Sequence, residues 1–164
     1  LLKKHDDVKL SVSCTTRAPR PGEVNGVSYH FVTEERFQEL VDQDAFYEWA
    51  HVHQNRYGTL KSAVEEQLAQ GHDLILEIDV QGCLQAMKQN PDATGVFICP
   101  PSRENLEKRL RNRGTETEDA IALRLSNARR ELALQDRYDE IVVNDDLDEA
   151  VDQLIGIIEN YERN

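Results

Sequence analysis

The residues best suited to chemistry lie near the start of the chain, in Ser11-Val12-Ser13-Cys14-Thr15-Thr16-Arg17-Ala18-Pro19-Arg20-Pro21-Gly22-Glu23. A guanidinium is planar, permanently charged and forked, which fits Arg17 and Arg20 to phosphate oxygens taken two at a time. Neighbouring hydroxyls add neutral donors. Pro19 and Pro21 fix φ and stiffen the loop, so less entropy is lost when it closes on an anion. A surface loop with two solvated arginines would have the same composition. Tyr29 and Tyr57 offer phenolic donors to such an anion without adding charge, although each also fits as a strand residue packing its ring.

Carboxylates and a basic helix follow. Glu48 sits in the aromatic stretch Phe46-Tyr47-Glu48-Trp49. A carboxylate there can accept from the N1–H and N2–H₂ edge of guanine. Adenine has neither donor, so it would leave a buried acceptor unpaired and be rejected. A solvent-facing glutamate is the plainer alternative. Glu77-Ile78-Asp79 closes the apolar run that begins at Leu74. Ligands of open α/β sheets collect at the C-terminal ends of such strands. Glu77 and Asp79 face the same way in an extended chain and suit a substrate hydroxyl or the water shell of Mg²⁺. Capping of the next helix would use the same groups. Arg109 and Arg113 fall one turn apart on a basic helix over 103–113, with Arg124 beyond it. Phosphoryl transfer asks chiefly for positioning and for cations around the moving group. The alternative is a solvated basic face paired with Glu104 and Glu107. His51 and His53 share a strand face but lack a third ligand, so no metal site is expected.

The elements that must position these groups can be read from periodicity and caps. Val8, Leu10 and Val12 alternate with polar residues as in a half-buried strand. Asn25-Gly26 suits a turn before a short strand from Val27 to Phe31. Thr33 caps a helix from Glu34 to Gln43 with Phe37, Leu40 and Val41 inward. Ala45 to His53 reads as extended, residues 55–59 as a turn, and Lys61 to Gln70 as a helix ended by Gly71. Leu74 to Asp79, Val96 to Cys99 and Ile141 to Val143 read as strands buried on both faces of a parallel sheet. Between them fall helices from Gly82 to Asn90 and from Arg103 to Arg113, the latter capped by Ser102. A further helix carries Arg124 behind a Thr115–Glu118 capping box. Asp146 and Glu149 start a last helix with Val151, Leu154, Ile155, Ile158 and Tyr161 inward; the neighbouring acidic residues suit its N-terminus. Short strands and turns followed by strand–helix–strand–helix predict a parallel α/β core with an inserted antiparallel part.

Composition bounds the partners. The chain has 164 residues, enough for one well-cored domain. Its net charge of −12 argues against a general nucleic-acid or anionic-membrane surface, so a phosphate must be held by a local basic cluster. Cys14, Cys83 and Cys99 are an odd set without close pairing and suit reduced thiols in the cytoplasm. No apolar run reaches transmembrane length and nothing resembles a signal peptide, so no membrane partner is expected.

Taken together, Ser13 to Glu23, Tyr57-Gly58-Thr59, Glu77-Ile78-Asp79-Val80-Gln81-Gly82, Arg113-Gly114-Thr115-Glu116 and Val143-Asn144-Asp145-Asp146 resemble, in order, the motifs of guanylate kinases. The resemblance covers nearly the whole chain. It implies a P-loop kinase-type parallel sheet with helices on both faces, a small mixed GMP-binding subdomain and a helical lid. The implied segments are 1–16, 72–100 and 137–164 for the core, 17–71 for the GMP-binding part, and 101–136 for the lid and the following core helix. It implies GMP and ATP as substrates, with Mg²⁺ accompanying ATP. Arg17, Arg20, Tyr29 and Tyr57 would bind the GMP phosphate, and Ser13, Glu48 and Thr59 the guanine. Glu23, Glu77 and Asp79 would line the acceptor side. Arg109, Arg113 and Arg124 would meet the ATP phosphates, and Asn144 would approach the adenine. Many relatives carry aspartate where this chain has Glu77, and the carboxylate is retained.

The departure is the glycine-rich phosphate loop ending Gly-Lys-Ser or Gly-Lys-Thr, which has no counterpart in the sequence. Leu1-Leu2-Lys3-Lys4-His5 matches the end of the helix after that loop, so an upstream segment is expected. The chain alone is then expected to be inactive or nearly so. The other reading is a guanylate kinase-like module that binds protein partners; such modules tend to lose the lid arginines, which are present here. Homo-oligomerisation and the use of dGMP are left open.

Overall fold

The computed structural model describes residue 2, residues 5–114 and residues 117–163. The fold is α/β. One compact unit spans Leu2–Pro91 and another Asp92–Asn164. Among the described residues no helix is long and apolar enough to cross a membrane.

In the first unit β1 (Val8–Leu10) runs parallel to β6 (Asp73–Ile75), pairing Val8 with Asp73 and Leu10 with Ile75. Val8 is buried, but Leu10 is exposed, so the expected alternation serves only one residue of the strand. The strand expected from Leu74 to Asp79 is shorter and begins one residue earlier; after Ile75 the chain leaves β1 and no residue of β6 is fully buried. A mixed sheet has the order β3-β2-β5-β4. Its strands are β2 (Cys14–Thr15), β3 (His30–Phe31), β4 (Phe46–Val52) and β5 (Asn55–Leu60). The expected strand from Val27 contracts to β3. Gly26, at φ +83°, and a Gly26 N–H bond to Tyr29 O instead hold a turn that leaves Val27 in solvent.

Residues 55–59 form a strand, not the expected turn. The turn lies just before them at His53-Gln54, where Val52 pairs with Asn55 and His53 takes φ +57°. Tertiary packing explains the extension. Arg56 is buried with its guanidinium 4.5 Å from the Phe37 ring centroid and 4.7 Å from that of Trp49, and Nη1 donates to Gln38 Oε1 at 3.0 Å. A stacked guanidinium keeps its charge against two π faces. This sandwich ties β5 to α1 (Glu34–Asp42), which Thr33 caps as expected by accepting from Arg36 N–H at 3.1 Å. Phe37 is 0% exposed and stacks on Phe46 at 4.5 Å, with Cys14 and Leu40 completing the cluster.

β5 leads through Leu60 into α2 (Lys61–Ala69), and Gly71 follows at φ +80°. α3 (Val80–Gln89) begins two residues before its expected start, because Asp79 caps it by accepting from Gly82 N–H at 3.0 Å. α3 is fastened to β4 by amide side chains. Gln85 accepts from Trp49 N–H at 3.2 Å and donates to Trp49 O at 2.9 Å, while Gln89 donates to Tyr47 O at 2.6 Å.

In the second unit β7 (Val96–Cys99) and β8 (Glu140–Val143) are parallel and in register from Val96–Glu140 to Cys99–Val143. They were expected to be buried on both faces. Val142 is 1% exposed, whereas Ile98, Ile141 and Val143 are exposed, so each strand is covered on one face among the described residues. α4 (Arg103–Asn112) is capped by Ser102 and packs Leu110 and Leu106 against Ile121 and Leu125 of α5 (Glu118–Leu132). The cap of α5 is Thr117, accepting from Ala120 N–H at 3.2 Å, while Thr115 lies outside the described residues, as does most of Leu1–Lys4. α6 (Leu147–Arg163) starts with Glu149 N–H bonded to Asp146 Oδ1 at 3.0 Å. Ala150 is its buried residue; Val151, Leu154, Ile155 and Ile158 are half-buried and Tyr161 is exposed, contrary to expectation.

Phe37→Ala removes a fully buried ring and one face of the Arg56 sandwich. It is expected to lower stability by about 3–5 kcal/mol, read from the denaturant midpoint.

Candidate functional site

The first unit contains a cavity of about 320 Å³. Ser13, Tyr29, Glu48, Tyr57, Glu77 and Asp79 line it, together with Val52 and Ile78. Six residues singled out from the sequence therefore meet around one space. Glu48 and Val52 project from β4, Tyr57 from β5, and Glu77 and Asp79 from the segment between β6 and α3. Val52 was not foreseen, yet strand period two places it on the same face as Glu48, so the alternation held that information.

Glu48 is 3% exposed. Its cross-strand neighbour Thr59, fully buried, donates from Oγ1 to Glu48 Oε1 at 2.6 Å. Burial pushes the Glu48 carboxyl above its ordinary pKa and the nearby Asp79 adds to this, while the Thr59 hydroxyl opposes both. Thr59 answers one oxygen of this carboxylate, and the group lines the cavity wall. A ligand that brings N–H donors stabilises its ionised form.

Arg17 adjoins the cavity through Tyr29, whose ring centroid lies 5.2 Å from the guanidinium carbon; Tyr29 in turn meets the Tyr57 ring edge-on at 6.0 Å. Arg17 is held by a two-pronged pair to Glu23, with Nη1–Oε1 2.9 Å and Nη2–Oε2 3.0 Å. Its own N–H donates to Thr15 Oγ1 at 3.1 Å. Glu23 Oε1 also accepts from the Arg20 N–H at 2.7 Å. One carboxylate thus folds the loop and aims its first arginine, while the Arg20 side chain stays at the exposed surface. Arg17 and the Arg20 N–H hold the Glu23 carboxyl at about 2, well below its ordinary value. Arg17, Arg20, Glu23 and Thr59 are not among the cavity-lining residues; Thr59 reaches the cavity through Glu48.

In the second unit Arg109 Nη2 donates to Asn144 O at 3.1 Å, and Asn144 N–H donates to Cys99 O at 2.8 Å. Glu107 of α4 and Glu118 of α5 turn to Arg111 instead, Glu107 at 3.0 Å. Arg109 and Arg113 are exposed, and Arg124 of α5 is half-buried. α4 therefore carries cations that Glu107 does not neutralise. Cys14, Cys83 and Cys99 form no disulfide.

The Glu23 carboxyl falls from 4.5 to about 2 on folding, so its contribution to stability is complete above 4.5 and is lost as pH drops towards 2. The stability gap between the wild type and Glu23→Gln is expected to be constant near neutrality and to close over that interval, followed by urea titrations at stepped pH.

The guanylate kinase family model matches residues 1–161. Guanylate kinase of Shewanella violacea is 49% identical over 158 residues, 96% of this chain and 76% of the relative. That of Shewanella sp. strain MR-7 is 52% identical over 159 residues, 96% of this chain and 77% of the relative. The crystal structure of guanylate kinase from Anaplasma phagocytophilum superposes with a TM-score of 0.81 at 33% identity, covering 94% of this chain and 76% of that one. By motif order, fold and overall similarity, the chain belongs to the guanylate kinase family.

Proposed function

We propose that the protein transfers the γ-phosphoryl group of ATP to GMP, giving ADP and GDP, as part of purine nucleotide metabolism in the cytoplasm. The observation that carries the acceptor assignment is the buried Glu48–Thr59 pair at the wall of the cavity. Glu48 accepts from guanine N1–H and N2–H₂. Thr59 and Ser13 complete the base site. Arg17, Arg20, Tyr29 and Tyr57 take the GMP phosphate, with Glu23 holding Arg17 in aim. Glu77 and Asp79 face the acceptor nucleotide, Asp79 with one oxygen committed to the α3 cap. A GMP phosphate oxygen attacks the γ-phosphorus, and the bond to the ADP oxygen breaks. Arg109, Arg113 and Arg124 draw off the charge that spreads over the transferring group. Asn144, whose backbone carbonyl anchors Arg109, lies on the adenine side.

Mg²⁺ supplies charge neutralisation on the ATP phosphates. Among the described residues no group of three His, Cys, Asp or Glu side chains is placed to hold a metal. The carboxylates of Glu77 and Asp79 suit an ion held chiefly by phosphate oxygens and water. Within this reading residues 17–71 form the GMP-binding part, 101–136 the lid and following helix, and 1–16, 72–100 and 137–164 the core. The presence of Arg109, Arg113 and Arg124 weighs against a protein-binding module that no longer needs them.

Calorimetric titration is expected to give tighter binding of GMP than of AMP, and equal affinities would remove the Glu48 assignment. ADP formation from ATP that depended on AMP and not on GMP would remove the reaction assignment. Glu48→Gln replaces a costly buried charge with a neutral isostere that presents an N–H₂ to the guanine donors. It is expected to raise the thermal midpoint of the ligand-free protein at neutral pH and to weaken GMP binding by at least about tenfold.

A further inference from the structure

We propose that Gly82 is a positioning residue for base selection, the absence of a side chain there being what seats the Glu48 carboxylate. The inference rests on the reading of Glu48 as the guanine acceptor. Gly82 is the third residue of α3, and its N–H donates to Asp79 Oδ1 at 3.0 Å. It has no positive φ, so the backbone does not ask for glycine, and alanine is the better helix former. The space does ask for it. A Cβ on Gly82 would collide with Glu48 Oε2 and lie 3.1 Å from both Glu48 Cδ and Asp79 Oδ1.

The neighbours are not free to back away. Asp79 is spent on the cap. On either side of Glu48 the β4 backbone is bonded to α3, Tyr47 O through Gln89 and the Trp49 peptide groups through Gln85. Strand and helix therefore cannot separate without breaking those bonds. A methyl at position 82 is accommodated by swinging the Glu48 side chain, which gives up the 2.6 Å bond from Thr59 and turns the carboxylate out of its place at the cavity wall. Base selection is then affected more than the fold, because what moves is the end of one side chain while the β4–α3 bonds are kept.

Two measurements test this. Titration of GMP and AMP into the wild type and Gly82→Ala is expected to show the GMP-to-AMP preference reduced by about tenfold or more, through weaker GMP binding with AMP binding little changed. Thermal unfolding is expected to show a change of sign. Gly82→Ala lowers the midpoint beside Glu48 but raises it in the Glu48→Ala background, where the collision with Glu48 is gone, only the milder 3.1 Å approach to Asp79 Oδ1 is left, and the helix propensity of alanine remains. A wild-type preference for GMP that survives Gly82→Ala overturns the proposal and leaves the Glu48 reading standing. Equal destabilisation in the two backgrounds, or failure of Gly82→Ala to fold in both, overturns the steric argument. A wild type without base preference overturns the Glu48 reading and the selection role together, and the unfolding comparison then reports on the Gly82–Glu48 contact alone.

Discussion

A carboxylate placed out of water beside a second carboxylate is costly unless something answers its charge. Glu48 is in that position, and much of the first unit is arranged around it. Thr59 lies opposite it across the β4–β5 ladder and gives it one hydrogen bond. The first turn of α3 faces it, where the helix dipole favours an anion, although Asp79 already claims the cap there. Thr59 lowers the cost of keeping this carboxylate buried, while burial and Asp79 still push it towards the neutral form. On the proposed reading this electrostatic cost is what makes the site selective, since a base with two suitably spaced donors offsets it and a base without them does not.

Two arginines show how differently one side chain is used. Arg56 is sealed between Phe37 and Trp49 and serves the core of the mixed sheet. Arg17 lies in a partly open loop, and Glu23 holds both of its terminal nitrogens. That pair fixes the guanidinium in one orientation; on the proposed reading this lowers the entropy lost when the GMP phosphate binds. The Tyr29 ring lies beside the same guanidinium and meets the Tyr57 ring edge-on, so two phenols accompany the paired charge.

Features that were legible in the sequence are those with local causes. The caps Thr33, Ser102 and Asp146 act within a few residues and stand where side-chain chemistry places them. The cavity residues were recognisable because Glu77 and Asp79 come from one short segment and the others from chemically distinctive stretches. What was missed depends on distant partners. Residues 55–59 look like a turn until Phe37 and Trp49 are brought to Arg56. Leu74 to Asp79 has the composition of a long central strand, but β1 pairs with only its first residues. Thr117 and Thr115 differ as caps by two positions, a distinction that the spacing to Glu118 alone does not make. Gln85 and Gln89 carry no sequence signal at all, because a glutamine on a helix is ordinary until the strand beside it is known.

Those two glutamines have a consequence beyond holding α3 in place. β4 is the last strand in the order β3-β2-β5-β4, and among the described residues its outer side carries peptide groups with no further strand to receive them. An open row of that kind is a template for another chain to add itself, the usual route to edge-to-edge aggregation. Gln85 and Gln89 answer three of those groups with side-chain amides, which mimic a peptide bond without offering a continuing edge of their own. The sheet is thereby terminated by a helix at Tyr47 and Trp49, and the part of the strand that carries Glu48 is closed to recruitment by a neighbouring molecule.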